Sequence, residues 1–307
     1  MQAVVTGATG LIGRALIRKL GSRVAVLSRD AARAQQLLAG VQVHRWVPEG
    51  GPAPVEALRG ADVVFNLAGE PAAEGRWTAE KKRRIRDSRV VGTRHLVAGL
   101  AALDERPRVL VSASAVGYYG DRGDELLDER SSPGQGFLAD VCIDWELEAM
   151  AAERLGIRVV CVRIGVVMST AGGALAKMLP PFRLGAGGRL GSGRQWMPWV
   201  HIDDLVGILL HAGRSESLRG PINGVAPAPV TNAAFTLALA HAVRRPALLP
   251  MPAFALNVAF GEMSGMLMAS QRVMPALALR SGYAFSHPDL DGALASLLAP
   301  DARRDAA

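Results

Sequence analysis

Cysteine is nearly absent from this chain: Cys142 and Cys161 are its only two in 307 residues. One pair cannot staple a chain of this length, and neither cysteine has zinc-ligand spacing, so a disulfide framework and a zinc module are both excluded. The six histidines, at 44, 95, 201, 211, 241 and 287, form no HExxH pattern or close cluster, and no metal site is expected. Aromatic residues are scarce too, with five Trp, three Tyr and seven Phe to stack on bases. The basic residues are scattered apart from Lys81-Lys82-Arg83-Arg84 and Arg303-Arg304. The net charge of +7 therefore reads as a solvated surface or a phosphate site, not as a nucleic-acid face. The apolar stretch 251–269 is broken by Pro252, Asn257, Gly261, Glu262 and Gly265, which fits a packed helix better than a membrane span. A β-like run begins at Ala3 with no signal peptide ahead of it, so a soluble, cytoplasmic protein is expected, without membrane partners.

Apolar residues are plentiful. Half the chain is hydrophobic and 21% is charged, enough for a large core. Short apolar runs predict strands at 3–5, 24–27, 41–46 and 63–67, alternating with helices that start near Leu11, after Asp30 and at 55–58. Further strands are expected at 109–112, 159–164 and 222–225. Helices are expected at 78–103, interrupted or bent in the middle, and at 137–155, 201–211 (capped by Asp203 or Asp204), 231–242 and 253–269. Strand–helix alternation of this kind means an α/β fold: a Rossmann doubly wound parallel sheet covered on both faces. Glycine, proline and basic residues crowd 172–198, as in a segment that wraps a ligand. The expected organisation is a nucleotide-binding domain over 1–165 and a smaller C-terminal substrate-binding lobe from 166–200 and 226–295, with 201–212 and 222–225 returning to the main domain.

The most specific motif is Thr6-Gly7-Ala8-Thr9-Gly10-Leu11-Ile12-Gly13, a G-x-x-G-x-x-G turn between strand and helix. Gly7 permits the tight turn, Gly10 lets the backbone approach a pyrophosphate, and Gly13 allows the helix to pack closely on the sheet. The free amides at the helix start, from Thr9 through Leu11 and Ile12, supply positive potential to phosphates. At the end of the second strand stands Ser28-Arg29, where an acid would bind the ribose hydroxyls of NAD. Arg29 offers a planar fork to a 2′-phosphate and Ser28 a hydroxyl, so NADP is expected over NAD, unless Arg29 is merely solvated and Asp30 reaches the ribose. Asn66-Leu67-Ala68-Gly69 closes the fourth strand, with Asn66 either touching the cofactor or bracing the sheet. Arg163, at a strand end, is expensive to bury alone, so a phosphate, a carboxylate or a backbone network is expected beside it, and it counts among the cofactor-binding candidates. Lys177, Arg183, Arg189 and Arg194 point the same way, to an anionic small molecule.

These segments resemble the extended short-chain dehydrogenase/reductase superfamily, and within it an atypical epimerase-like branch with a C-terminal small domain of unknown function. The resemblance rests on Asn66-Leu67-Ala68-Gly69-Glu70-Pro71, Arg76-Trp77, Ser112-Ala113-Ser114-Ala115-Val116-Gly117-Tyr118-Tyr119-Gly120 and Phe182-Arg183-Leu184-Gly185. It extends through Gly191-Ser192-Gly193-Arg194-Gln195, Trp199-Val200-His201-Ile202-Asp203-Asp204 and Ser270-Gln271-Arg272-Val273. It implies that Ser114 holds the catalytic serine position and that homodimers form. It also implies a Tyr-x-x-x-Lys pair on the next helix, yet none occurs anywhere in the chain. The four-residue spacing places Gly136 and Asp140 there, neither able to do the usual proton chemistry. Tyr118 is the first substitute, unless its ring only packs the pocket wall, and Glu70 the next, unless a salt bridge to Arg76 or a neighbouring lysine satisfies it. Arg76 and Trp77 are candidates for anion and ring recognition, and His201 for organising the lobe junction. Two functions follow: an NADP-dependent oxidoreductase or epimerase on a small polar, sugar-like or anionic substrate, or an NADP-binding sensor or scaffold without hydride chemistry.

Overall fold

Seven short apolar strands supply the frame of the computed structural model, which describes residues 2–299; the pair Arg303-Arg304 lies outside them. The first half alternates β1 (Ala3–Thr6), α1 (Leu11–Leu20), β2 (Val24–Ser28), α2 (Ala31–Leu37), β3 (Gln42–Arg45), α3 (Val55–Leu58) and β4 (Val63–Asn66). It continues with α4 (Ala79–Ala101), β5 (Val109–Ala115), α5 (Phe137–Met150), β6 (Arg158–Ile164), α6 (Gly173–Arg183), α7 (Ile202–Arg214) and β7 (Gly220–Gly224). All seven strands are parallel, in the order β7-β6-β5-β4-β1-β2-β3. The chain order reverses between β1 and β4, and a ligand crevice opens outside the carboxyl ends of strands at such a switch point.

Alternate residues of each strand feed two separate cores. Val5, Val26, Phe65, Val111 and Val162 pack towards α1 and α7, while Val4, Leu27, Val64, Leu110 and Val159 pack towards α3 and α4. Each such fully buried side chain contributes roughly 1.5–3 kcal/mol. Helix α4 runs unbroken for 23 residues from a Thr78 cap, so nothing interrupts it in its middle. Its glycines fit tight neighbours: a Cβ on Gly99 would lie 2.5 Å from the Ala53 carbonyl oxygen.

A third core joins α6 to α8 (Asn232–Ala242) and α12 (Leu290–Leu298) through Leu175, Leu179, Phe182, Phe235, Leu239 and Leu294. The stretch expected as one helix over 253–269 is broken at Gly261 into α9 (Ala253–Phe260) and α10 (Ser264–Met268). No helix among the described residues is long and apolar enough to cross a membrane. The cap of α7 also differs from expectation. The His201 ring accepts from the Asp203 amide at 3.0 Å, and the buried Asp204 instead receives the Ser286 and His287 amides and the Tyr283 hydroxyl. Asp204 thereby ties the C-terminal segment to the start of α7.

Candidate functional site

At the switch point the glycine-rich turn leaves no room for side chains. Gly7 has φ +67°, and a Cβ there would sit 2.5 Å from the Leu67 carbonyl oxygen; one on Gly13 would sit 2.4 Å from the Gly7 carbonyl oxygen. Above the turn lies a cleft of about 350 Å³, lined by Gly7, Thr9, Gly10, Leu67, Ala68 and Gly69 among others. Leu11 and Ile12 are the first residues of α1, so their amides have no acceptor within the helix, while their side chains pack on the core. The backbone cradle fits a pyrophosphate, which binds through amides and needs the close approach that only glycine allows.

Thr6, a residue sequence reasoning passed over, shapes this turn. Its hydroxyl donates to Asn66 Oδ1 (2.9 Å) and accepts the Leu67 and Ala68 amides, each at 3.0 Å. Asn66 Nδ2 in turn donates to Thr93 Oγ1 (2.9 Å) and Ser112 Oγ (3.2 Å). Every polar atom of the Asn66 side chain is thus engaged within the sheet, and of the two roles open to it the structure places it in bracing, not in cofactor contact.

The far end of the cleft carries mixed charge. Arg29, Asp30, Arg33 and Glu49 all line it, and Ser28 Oγ donates to the Asp30 carbonyl at 3.0 Å. The Asp30 carboxylate caps α2 by accepting the Arg33 amide at 2.9 Å. At the near end, Glu70 is held by Lys81 Nζ at 2.7 Å, with Arg84 Nε at 3.7 Å. Its pKa is lowered, chiefly by the Lys81 hydrogen bond, against a smaller opposing effect of burial. Glu70 is thereby held as a carboxylate paired to a cation of α4.

A buried chain of polar groups runs beneath the end of β5. Ser114 Oγ donates to Glu146 Oε1 at 2.6 Å. Arg163 forks onto the same carboxylate, Nε to Oε1 and Nη2 to Oε2, both at 2.8 Å. Its Nη1 donates to the Tyr119 hydroxyl at 3.0 Å, and that hydroxyl donates to Asn223 Oδ1 at 2.7 Å. The guanidinium also stacks 3.4 Å from the Tyr118 ring centroid. Burial works against the Arg163 charge, yet the fork onto Glu146 raises its pKa overall. Arg163 therefore has a carboxylate partner in Glu146, one of those expected for it, and is not among the residues that line the glycine-turn cleft. Burial pushes the Tyr119 hydroxyl up to about 12, so it stays protonated. Tyr118 is half-buried, and its hydroxyl makes no hydrogen bond among the described residues.

Helix α5 faces this chain with residues other than those expected. Gly136 is only its cap, at φ +99°, and Asp140 is exposed. The residues against the Ser114–Gly117 segment are Leu138 and Cys142: a Cβ on Gly117 would lie 3.2 Å from Leu138 Cβ and 3.8 Å from Cys142 Sγ. Positions 138, 142 and 146 follow one another at four-residue spacing on one stripe. Burial pushes the Cys142 thiol up to about 11, with Glu146 adding to the effect, so it is no ready proton donor or nucleophile. Glu146 was not singled out from sequence. The signal was an acid at i+4 from Cys142, set between the apolar Trp145 and Leu147.

The C-terminal segments close over these elements. Arg76 donates to the Val258 carbonyl, Lys82 pairs with Glu262 at 2.9 Å, and Lys177 donates to the Ala73 carbonyl at 3.2 Å. Trp77 donates to the Ala72 carbonyl at 2.8 Å and meets Phe137 edge-on at 5.3 Å, a packing arrangement. Gln271 Nε2 stitches the C-terminal segment to the Val116 and Gly120 carbonyls, both at 2.9 Å. Arg183, Arg189 and Arg194 are exposed. His201, Asp203 and His287 bring potential ligand atoms within 4.8 Å of one another. There the His201 Nδ1 lone pair already takes the Asp203 amide, and the positive end of α7 disfavours a cation.

The NAD dependent epimerase/dehydratase family matches residues 3–223, and a domain of unknown function, DUF1731, matches 251–297. Epimerase family protein Mb2239 of Mycobacterium bovis is 43% identical over 291 residues, 94% of this chain and 95% of that protein. The human epimerase family protein SDR39U1, solved with NADPH, is 35% identical with a TM-score of 0.86, over 97% of this chain and 99% of that one. UDP-glucuronic acid 4-epimerase from Bacillus cereus, solved with UDP-glucuronic acid and NAD, shares the fold at 16% identity and a TM-score of 0.75, over 97% and 96% of the two chains. Most of the similar cofactor-bound structures hold NAD, which overturns the ranking of NADP above NAD. The physical reason is visible in the cleft. Arg29 shares its end with the carboxylates of Asp30 and Glu49, so its charge alone does not select a phosphate.

Proposed function

Because the chain belongs to the NAD dependent epimerase/dehydratase family, we propose that it is an oxidoreductase or epimerase that uses a nicotinamide dinucleotide on a small polar, sugar-like or anionic substrate. When bound, the dinucleotide accepts or returns a hydride. Gly7, Gly10 and the first amides of α1 hold its pyrophosphate, and Leu67 to Gly69 line the path beside it.

The observation that carries the reading is the chain Ser114–Glu146–Arg163. Ser114 points its proton at Glu146; it is 2% exposed and lies beside the Cys142 thiol, so a substrate hydroxyl reaches the lone pairs of Oγ only once the site opens towards it. As that hydroxyl gives its proton to Ser114 Oγ, the serine proton passes to Glu146 Oε1, and the reverse movement protonates a carbonyl during reduction. Arg163 fixes the carboxylate through both oxygens. The usual tyrosine and lysine are thus replaced by a relay, not by one residue.

Leu138 and Cys142, inert where the family's proton chemistry is expected, favour a second reading: a dinucleotide-binding sensor or scaffold. The test is a panel of hexoses, sugar acids and nucleotide sugars, followed by nicotinamide absorbance and product stereochemistry. The enzyme reading expects turnover that falls at least about a hundredfold in Ser114→Ala and Glu146→Gln, with cofactor affinity within about twofold of the parent. Tight cofactor binding with no turnover on any member supports the sensor.

A further inference from the structure

The opposite edge of the sheet holds a second cleft, larger than the one at the glycine turn, that the proposed reaction does not use. It encloses about 590 Å³ and is lined by Asp62, Arg108, Gly156, Arg158, Gly213, Arg214, Glu216 and Arg219, among others. Every one of these lies at the amino end of β4, β5, β6 or β7, or at the carboxyl end of α7. Four arginines face two carboxylates there. None of the four arginines forms an ion pair among the described residues.

Arg158 is the anchor. It is 9% exposed, and its guanidinium donates to the carbonyls of Ala212 and Leu218 at 2.9 Å and of Gly213 at 3.0 Å. Those bonds cap the carboxyl end of α7 and use three of the five guanidinium N–H groups. A buried cation whose acceptors are neutral carbonyls keeps its full charge, and burial is the main reason its pKa is lowered. Repulsion from Arg219 lowers it further, and attraction to Glu216 opposes both. Arg108, Arg214 and Arg219 are exposed around it and line the same cleft. A multivalent anion between them would relieve that repulsion and meet planar forks that suit phosphate oxygens two at a time.

We infer that this cleft binds a small phosphate-bearing anion, at a site separate from the dinucleotide cleft and at the other end of the strands. Its size admits a diphosphate with an attached organic group.

The test uses the full chain saturated with its nicotinamide cofactor, so that the glycine turn is blocked, and inorganic pyrophosphate as the calorimetric probe at physiological salt. Saturable binding with Kd below about 1 mM is expected. The double substitution Arg214→Ala with Arg219→Ala is expected to weaken it at least about tenfold while leaving cofactor affinity within about twofold. Should that variant melt early, Arg219→Gln serves in its place, with an expected weakening of about threefold or more. No saturation by about 10 mM, or equal affinity in the variant that folds, overturns the site. Turnover is not read, so failure here is distinguishable from failure of the proposed reaction.

Discussion

Gly7 shows how a single residue commits this chain to a ligand. Its positive φ and the Leu67 carbonyl 2.5 Å from any added Cβ mean that only glycine holds the turn in place. Gly7→Ala is expected to raise the cofactor Kd at least tenfold and to cost roughly 1–2 kcal/mol in backbone strain alone. Calorimetric titration and thermal melts check both. Asn66 is the contrasting case, since it braces the strands below the turn. Asn66→Ala leaves the hydroxyls of Thr6, Thr93 and Ser112 short of partners, and is expected to destabilise the fold by roughly 1–3 kcal/mol in urea unfolding. The glycines could be assigned from sequence because spacing and backbone geometry determine them. The roles of Asn66, Glu70 and Arg163 could only be narrowed to a few alternatives, because the choice among them rests on a partner elsewhere in the chain: Thr6, Lys81 and Glu146 respectively.

Elements were legible where their apolar period was strong, and their ends less so. The alternation of β1 to β4 with short helices, and the parallel order it implies, follow from runs such as 63–66. Helix α5 was foreseen, but not the stripe it turns towards Ser114, because residues two apart on a helix face different neighbours. Helix α7 was foreseen with the wrong cap. His201 caps it through a neutral Nδ1, so proton uptake removes the acceptor and sets a positive charge on the positive end of the helix. Burial lowers the His201 pKa, with His287, stacked at 3.7 Å, adding to the effect and Asp203 and Asp204 opposing it. The unfolded chain therefore takes up this proton first, and stability falls as pH drops below about 6.5. The parent should lose more thermal stability between pH 7.5 and 5.5 than His201→Asn, which keeps a capping acceptor. Equal losses in the two proteins contradict this role for His201.

Across the whole molecule, the seven-stranded sheet separates two kinds of chemistry. Its carboxyl edge carries the glycine turn and the Ser114–Glu146–Arg163 chain, and its amino edge carries the arginine cleft. The C-terminal segments close on the carboxyl edge through Gln271, Arg76 and the pairing of Lys82 with Glu262. The account holds that the dinucleotide ends beside Ser114, where the relay can serve a substrate oxygen. The most direct test is a crystal structure of the protein with its reduced nicotinamide cofactor. The nicotinamide is predicted to lie beside Ser114, with open space for a substrate oxygen about 3 Å from Oγ. A nicotinamide packed against apolar side chains, with no space reaching Ser114, contradicts the account.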